Sequence, residues 1–233
     1  MSARIPTATV LGVLLAALPA SAAEVHHIHV TASNAGEAVR WYTRFLDCDP
    51  VADRPDAVDC GGARVVFDSR LSPGGSQRTG LDHIALSYPD VTAKMAELEA
   101  VGVGGAGVRL QRFDDGATLR ELPGLFLHGF IFDPWGTRIE LLEDGVEQRL
   151  HHIHLSAAEP DATLDWYATH LGAERGRLGG QVDGARVGDV WLLAQPHEAV
   201  PAPTAGRALD HIAFASEGIE TESARLAAAG IDI

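Results

Sequence analysis

The chain has 233 residues, of which 46% are hydrophobic, and a formal net charge of −14 at pH 7. This length and apolar content suffice for one or two domains with a substantial core. Acidic residues are spread along the chain without a cluster of Lys and Arg, which argues against nucleic acid as a partner because phosphate binding needs a basic surface. A solvated acidic surface explains the charge, and a groove for a cationic ligand is the alternative.

The first 23 residues have the pattern of a secretory signal peptide. Arg4 precedes an apolar run from Ala8 to Leu18, and small residues follow up to Ala23. The run is shorter than the ~20 apolar residues that a membrane span needs, and the small residues match a cleavage site. We therefore expect residues 1–23 to be removed and the mature protein to be periplasmic or secreted, outside the membrane.

The elements after this segment form a strand, a helix and further strands. The first strand covers 25–30, and Asn34-x-x-Glu37 resembles a capping box at the start of the following helix. Apolar residues recur along that helix with helical period, at Ala38, Trp41, Tyr42 and Phe45. The later elements are a strand at 63–68, a strand led by His83, a helix with Val91, Met95 and Leu98 on one face that stops at Gly102, a strand at 130–132, a type I turn at 133–136 and a strand at 137–142.

The two cysteines, Cys48 and Cys60, lie close together in sequence. A disulfide can persist in an exported chain, but the distance between the two Cα atoms does not follow from the sequence. A bridge and two free thiols both stay open. Neither residue belongs to a C-x-x-C pair, which disfavours a thiolate zinc site.

The sequence repeats itself. The strand and helix at 25–46 recur at 150–171, where His152 follows His27 by 125 positions, and the segment 80–87 recurs at 208–215. This predicts an α+β protein of tandem βαβββ modules, with a first unit at 24–147 and a second unit at 148–233. Nothing in the second unit corresponds to the segment 130–142, so we expect that unit to be incomplete. A fragment of a longer protein is the favoured explanation, and a vestigial last module is the alternative.

Three side chains that could bind a metal occupy equivalent strand positions. Strand alternation places His27 and His29 on one face, and it places His83 and Glu140 on the corresponding faces of their own strands. A sheet curved around them would bring His27, His83 and Glu140 onto one divalent ion. The alternative is three buried polar side chains in a hydrogen-bonded barrel without a metal.

Specific motifs carry a family resemblance. They are His27-x-x-Val30 before the Trp41-Tyr42-x-x-Phe45-Leu46 helix, Leu81-Asp82-His83-Ile84-Ala85, and Phe132-Asp133-Pro134-Trp135-Gly136-x-x-Ile139-Glu140-Leu141. With these motifs the chain resembles the vicinal oxygen chelate superfamily, which includes glyoxalase I, methylmalonyl-CoA epimerase, extradiol dioxygenases and bleomycin-resistance proteins. The resemblance implies a cupped sheet made by two modules. It also implies a metal held by the first-strand His of each module and a last-strand carboxylate, here His27, His83 and Glu140.

One departure from the family pattern bears on the chemistry. Glyoxalase I and the epimerases add a fourth ligand from the last strand of the first module, where alignment places Phe67. A site with two His and one carboxylate leaves positions open for substrate and O₂, so Fe²⁺ or Mn²⁺ is favoured, with Zn²⁺ or Ni²⁺ as alternatives. We expect an oxidoreductase of dioxygenase type or a lyase that acts on a small molecule with vicinal oxygens, with His29 as a proton relay.

Other interpretations remain open at this stage. His26 and His29 are equally compatible with plain polar positions, His128 alone is weak evidence for a cavity residue, and Arg138 fits an ion pair better than an anion site. A non-catalytic protein that sequesters an antibiotic, as in bleomycin resistance, is the alternative function, and a scaffold of repeats is a third. Export argues against glutathione as a partner, and the oligomeric state does not follow from the sequence.

Overall fold

The computed structural model describes residues 23–103, 105, 107–145, 149–197 and 199–233. The predicted signal segment lies outside these residues except for Ala23. Among the described residues, no helix is both long enough and apolar enough to cross a membrane.

The chain alternates short helices with groups of strands. The elements are β1 (Glu24–Ala32), α1 (Ala35–Leu46), β2 (Asp49–Pro50), β3 (Ala57–Asp59), β4 (Arg64–Ser69), β5 (Leu81–Tyr88), α2 (Val91–Val103), β6 (Arg109–Leu110), β7 (Arg120–Leu122), β8 (Phe126–Phe132), β9 (Arg138–Glu143), β10 (Arg149–Ala157), α3 (Pro160–Leu171), β11 (Glu174–Leu178), β12 (Val182–Val187), β13 (Val190–Pro196), β14 (Leu209–Ala215) and α4 (Ile219–Ala228). We number the modules one to four by their first strands, β1, β5, β10 and β14. The α+β class and the modular βαβββ organisation are confirmed.

The first helix forms as the sequence predicts. The side chain of Asn34 accepts a 3.0 Å hydrogen bond from the backbone N–H of Glu37, which satisfies a donor that the first turn would otherwise leave free. The predicted apolar face is buried, at Ala38, Trp41, Tyr42 and Phe45. Helix α2 buries Val91, Met95 and Leu98 and ends at Val103, one residue beyond the predicted stop.

In the described chain the strands form two sheets. One has five strands in the order β14-β1-β4-β3-β2. The other has nine strands, of which eight follow the order β11-β12-β13-β10-β5-β9-β8-β6 while β7 pairs with β8. Each sheet has one antiparallel seam between the first strands of two modules, β1 with β14 and β5 with β10.

These seams correct the expected pairing of modules. The resemblance implies that modules one and two share a cupped sheet, whereas the structure pairs module one with module four and module two with module three. Modules one and two instead pack across their helices and turns: the Tyr42 hydroxyl donates to a carboxylate oxygen of Asp133 at 2.9 Å, and Tyr88 donates to the carbonyl of Leu46 at 2.8 Å. Inward and outward side chains alternate in the same way on β1 and β10. The alternation is therefore compatible with either strand as the partner of β5.

The turn between β8 and β9 is held by one carboxylate. Oδ1 of Asp133 accepts hydrogen bonds from the backbone N–H groups of Trp135 at 2.9 Å and Thr137 at 2.7 Å, and the Gly136 N–H donates to the Asp133 carbonyl at 3.2 Å. Gly136 has φ 95° and a Cβ there would lie 3.1 Å from Cα of Gly75, so this position favours glycine. The turn thereby fixes the start of β9, the strand that carries Glu140.

The two cysteines form a disulfide, which resolves the alternative that the sequence leaves open. Cys48 follows α1 and Cys60 follows β3, so the bridge ties the end of the helix to the five-stranded sheet. Both side chains are buried.

Candidate metal centre

Three neighbouring strands of the nine-stranded sheet bring together a glutamate and several histidines. His83 lies on β5, Glu140 on β9 and His152 on β10, with β5 in the middle. The register pairs Ala85 with both Glu140 and His152, so these two residues lie at one level of the sheet on either side of β5. His83 precedes Ala85 by two residues and therefore shares its face of β5. All three are buried.

Two imidazoles point to the same carboxylate oxygen. Nε2 of His83 lies 2.9 Å from Oε2 of Glu140, and Nε2 of His152 lies 3.1 Å from that same atom. Potential ligand atoms of these residues and of His154 all lie within 4.8 Å of one another. One cation between them could therefore contact three imidazole nitrogens and a carboxylate oxygen.

The outward-facing atoms of the same side chains have partners of their own. Nδ1 of His83 lies 2.7 Å from Oδ1 of Asp82, and that oxygen accepts a 2.6 Å hydrogen bond from Arg138. Nδ1 of His152 lies 2.9 Å from Nδ1 of His151. Such outer partners fix the ring orientation of metal-binding histidines, and here they turn both Nε2 atoms inward.

Glu140 is oriented by a further histidine. Nδ1 of His128 lies 2.6 Å from Oε1 of Glu140, so the two carboxylate oxygens have different partners. His128 is buried on β8 among the rings of Phe113, Phe126 and Phe130. The contact leaves Oε2 free to face His83 and His152.

Charge interactions keep the carboxylate ionised. Burial alone would raise the pKa of Glu140, yet the charge of His152 and hydrogen bonds from His128, His152 and His83 hold the pKa well below its usual value. Burial is also the main cause that lowers the pKa of His152 and, more strongly, of His154. Burial also opposes the charged form of His83, but hydrogen bonds to Asp82 and Glu140 raise the pKa of His83 above its usual value. The cluster therefore offers an anionic oxygen and, at His152 and His154, imidazoles that favour the neutral form that a metal ion requires.

The cluster opens into a cavity of about 230 Å³. The polar residues that line the cavity are the histidines, Arg138, Glu140 and Gln195, and the other lining residues are apolar. The apolar wall consists of Leu122, Leu125, Phe126, Phe130, Leu178, Val182 and Leu193. Four larger cavities, two of about 490 Å³ and two of about 400 Å³, contain none of these histidines.

Comparison with known proteins places the chain in a family. The model of the Glyoxalase/Bleomycin resistance protein/Dioxygenase superfamily matches residues 24–141, just over half of the chain. The protein belongs to this superfamily. The sequence has no significant match among curated proteins.

Solved structures of the superfamily share the fold over most of the chain. Glyoxalase I from Zea mays is similar with a TM-score of 0.65 and 15% identity, covering 89% of this chain and 79% of that one. A putative dioxygenase from Bacillus subtilis subsp. subtilis str. 168 has a TM-score of 0.58 and 17% identity, covering 91% and 76%. At these identities the likeness shows the fold alone.

The structure assembles two of the three metal ligands that the superfamily resemblance assigns. His83 and Glu140 come together, but His27 lies on β1 in the other sheet and does not share the 4.8 Å group. His152, which occupies the position of His27 in the repeat, takes that place because β10 and not β1 pairs with β5. Sequence reasoning identified His152 as a counterpart of His27 but assigned it to the second unit.

The proposed proton relay, His29, is separated from this cluster in the same way. It lies on β1 opposite His211, and its counterpart next to Glu140 is His154, opposite His83. The sequence signal for His154 was present in the repeated His-His-Ile-His pattern. His128, which is only weakly indicated as a cavity residue by the sequence, lines the cavity, and Arg138 pairs with Asp82 as expected.

The register also revises the position expected for a fourth ligand. β4 pairs His29 with Val66 in the way that β9 pairs Ala85 with Glu140, so Val66 and not Phe67 is the counterpart of Glu140 in module one. Phe67 packs against the ring of Tyr42 on the helix side of the sheet. In module three the same position is Leu193, opposite His154. None of these side chains could bind a metal.

Proposed function

We propose that the protein is a metal-dependent enzyme of this superfamily that acts on a small molecule with two adjacent oxygen atoms. The observation that carries the proposal is the convergence of Nε2 of His83 and Nε2 of His152 on one oxygen of Glu140 in a closed polar cluster. His83, His152 and Glu140 would hold the ion. The cavity beside them would hold the substrate.

The donor set fits a divalent metal. The imidazoles of His83 and His152, which converge on Glu140, and its carboxylate match the facial triad that leaves coordination positions open. This triad favours Fe²⁺ or Mn²⁺ over Zn²⁺ or Ni²⁺. Such an ion would lower the pKa of a substrate hydroxyl or polarise a carbonyl when it is bound. A reaction of dioxygenase or lyase type is consistent with that chemistry.

The protein's own side chains would orient the substrate. The apolar wall at Phe126, Phe130 and Leu193 would cover the body of the molecule and exclude water. Arg138 is already engaged, since it donates to Asp82 at 2.6 Å and to Gln111 at 3.1 Å and its guanidinium lies 3.7 Å from the centre of the Phe130 ring. It therefore supports His83 and is not a free cation for an anionic substrate.

Metal content and turnover of the full chain test this proposal together. Fe²⁺ or Mn²⁺ should bind to the wild type, and Glu140→Gln should abolish that binding while the exposed control Glu121→Gln retains it. Oxygen uptake with a panel of catechols tests the dioxygenase arm, and consumption of an α-ketoaldehyde hemithioacetal tests the lyase arm. Turnover that persists in metal-free protein would contradict the proposal, and tight retention of a cationic drug without turnover would support the sequestering alternative.

We also propose that the protein is exported, as its first residues predict. The buried Cys48–Cys60 disulfide supports this location, because disulfides persist in oxidising compartments and are rare in the cytosol. Cell fractionation with N-terminal sequencing tests it. A full-length chain that still begins at Met1 in the cytosol would contradict it.

A further inference from the structure

The ends of two hairpins from different modules border the cavity beside Glu140. One hairpin joins β7 to β8 in module two, and the other joins β11 to β12 in module three. We call residues 123–125 the first tip and residues 179–181 the second tip. The two hairpins supply much of the apolar wall, namely Leu122, Leu125, Phe126, Leu178 and Val182. The position of one tip relative to the other therefore helps to set the shape of the cavity.

The two tips are in contact. Nε2 of Gln181 donates a 3.1 Å hydrogen bond to the backbone carbonyl of Pro123, although 58 positions separate the two residues in the chain. Gly179 leaves room for the side chain of Leu125, because a Cβ at residue 179 would collide with Cδ2 of that leucine. A hydrogen bond and an apolar contact between modules thus hold Leu125 beside the cavity.

An outer cavity adjoins the cavity beside Glu140 at the first tip. It has a volume of about 400 Å³ and, apart from Glu143 on β9, its lining residues belong to the β7–β8 hairpin. Leu122, Leu125 and Phe126 line both cavities. These three side chains therefore form the boundary between the outer cavity and the metal centre.

The first tip is less firmly held than the strand that carries Glu140. β7 has only 3 residues and pairs with β8 alone, and the tip itself is exposed at Pro123 and Gly124. By contrast, β9 is paired with β5 on one side and with β8 on the other. Segments with little buried apolar surface open at a lower cost in free energy than paired core strands. The first tip is therefore the part of the boundary that can move while Glu140 stays in place.

We propose that the outer cavity is the entrance to the metal centre and that the first tip is its gate, held shut by the hydrogen bond from Gln181 to Pro123. Displacement of Leu125 from Gly179 joins the two cavities. The inference rests on the proposed function in one respect, since it assumes that a substrate must reach the cluster at Glu140.

This entrance selects the class of substrate. Leu122, Leu125 and Phe126 offer no polar side chain along the route, and passage of a charged group past them costs its hydration. An anion also meets the carboxylates of Glu121 and Glu143 in the outer cavity, and like charges repel. The gate therefore favours compact, uncharged molecules with an apolar body, and Leu125 is a specificity-determining residue.

Modification of histidine by diethylpyrocarbonate measures the opening of the gate without a metal or turnover. The reagent acylates neutral imidazoles that it can reach, and His154 lines the cavity behind the gate. Its counterpart in the repeat, His29, lies in the other sheet and provides an internal reference. Mass spectrometry of the full chain, without added metal, gives the rate at each of the two histidines.

Loss of the hydrogen bond should expose His154. Gln181→Glu keeps the size of the side chain but cannot donate to the Pro123 carbonyl. We expect His154 to react about 2- to 10-fold faster relative to His29, the range that corresponds to the loss of one hydrogen bond. The matched control is Gln77→Glu, because Gln77 is exposed and lines neither cavity.

A crosslink between the tips should have the opposite effect. A Cβ at residue 124 would lie 2.6 Å from Nε2 of Gln181, so Gly124→Cys and Gln181→Cys place two thiols near each other. The native cysteines are buried and already joined, so a short thiol crosslinker reacts with the new pair. The crosslinked protein should label at His154 more slowly than the same protein before crosslinking and more slowly than the wild type.

The outcomes distinguish the gate from the proposed function. If Gln181→Glu leaves the relative rate at His154 unchanged, or if the crosslink does not slow labelling, the gate is refuted, and metal binding at Glu140 is unaffected by that result. If Glu140→Gln retains the metal, the proposed function fails while the labelling still measures the gate. With turnover as the readout, Leu125→Ala should raise kcat/KM more for an alkyl-substituted catechol than for catechol, and equal changes would refute the role of Leu125 in specificity.

Discussion

Nε2 of His152 lies 3.1 Å from Oε2 of Glu140, although the two residues belong to different modules of the repeated chain. Glu140 lies on the last strand of module two and His152 on the first strand of module three. The best candidate site therefore spans the predicted boundary between residues 147 and 148. A protein cut at that boundary would have no complete cluster on either side.

This relationship predicts opposite results for two histidines that are equivalent in the repeat. His152→Ala should remove the ion from the metal centre at Glu140 and abolish turnover, because it deletes one of three ligands. His27→Ala should leave metal binding at Glu140 and turnover unchanged, since His27 lies in the other sheet. Mn²⁺ content and catechol turnover of the two variants provide the measurement, and a reversed result would restore the assignment made from the sequence.

The part of the site that lies within one module could be predicted from the sequence. Strand alternation identifies His83 and Glu140 as side chains of one face, and β5 and β9 pair within module two. Helix α1 could be predicted for a similarly local reason, because the Asn34 cap and the apolar period act over a few residues. Local patterns therefore determine the elements and half of the centre.

The choice between His27 and His152 could not be made in this way. Both follow a histidine and precede Ile-His on a first strand, so both satisfy the same local pattern. The choice depends on which strand completes the seam with β5, and that depends on packing between modules over long sequence distances. The hydrogen bond from Tyr42 to Asp133, which spans 91 positions, is one such contact.

His128 should control the metal affinity without binding the metal. His128→Phe keeps a ring among the surrounding aromatic side chains but removes the nitrogen that lies 2.6 Å from Oε1 of Glu140. Loss of such an outer partner lowers metal affinity by about 10- to 100-fold. Competition with a chromophoric chelator measures the affinity, and the control is His197→Phe, at a partly exposed histidine outside the cluster. An unchanged affinity would show that Glu140 needs no support from His128.

Loss of the disulfide should lower the stability of the fold but leave metal binding at Glu140 unchanged. The Cys48–Cys60 bridge closes a short loop in the five-stranded sheet, away from Glu140. Cys48→Ser with Cys60→Ser should lower the free energy of unfolding by about 2–4 kcal/mol, while Mn²⁺ stoichiometry stays the same. Urea denaturation with and without a reductant measures this. Loss of Mn²⁺ binding in the folded variant would contradict the separation of the two regions.

The Tyr42–Asp133 contact predicts a pH dependence of stability that is independent of the metal. Burial, followed by the adjacent Asp133 carboxylate, raises the pKa of Tyr42 well above its usual value. Because the folded-state pKa is raised, the stabilising contribution of Tyr42 is complete below the unfolded pKa of about 10 and decreases as the pH rises above it. Tyr42→Phe should lower stability near pH 8 by about 1–3 kcal/mol, since it leaves the buried Asp133 without this donor, and it should flatten the loss of stability above about pH 10. Urea denaturation of the wild type and of Tyr42→Phe, near pH 8 and above about pH 10, tests the prediction. An equally steep alkaline loss in Tyr42→Phe would show that other groups cause it.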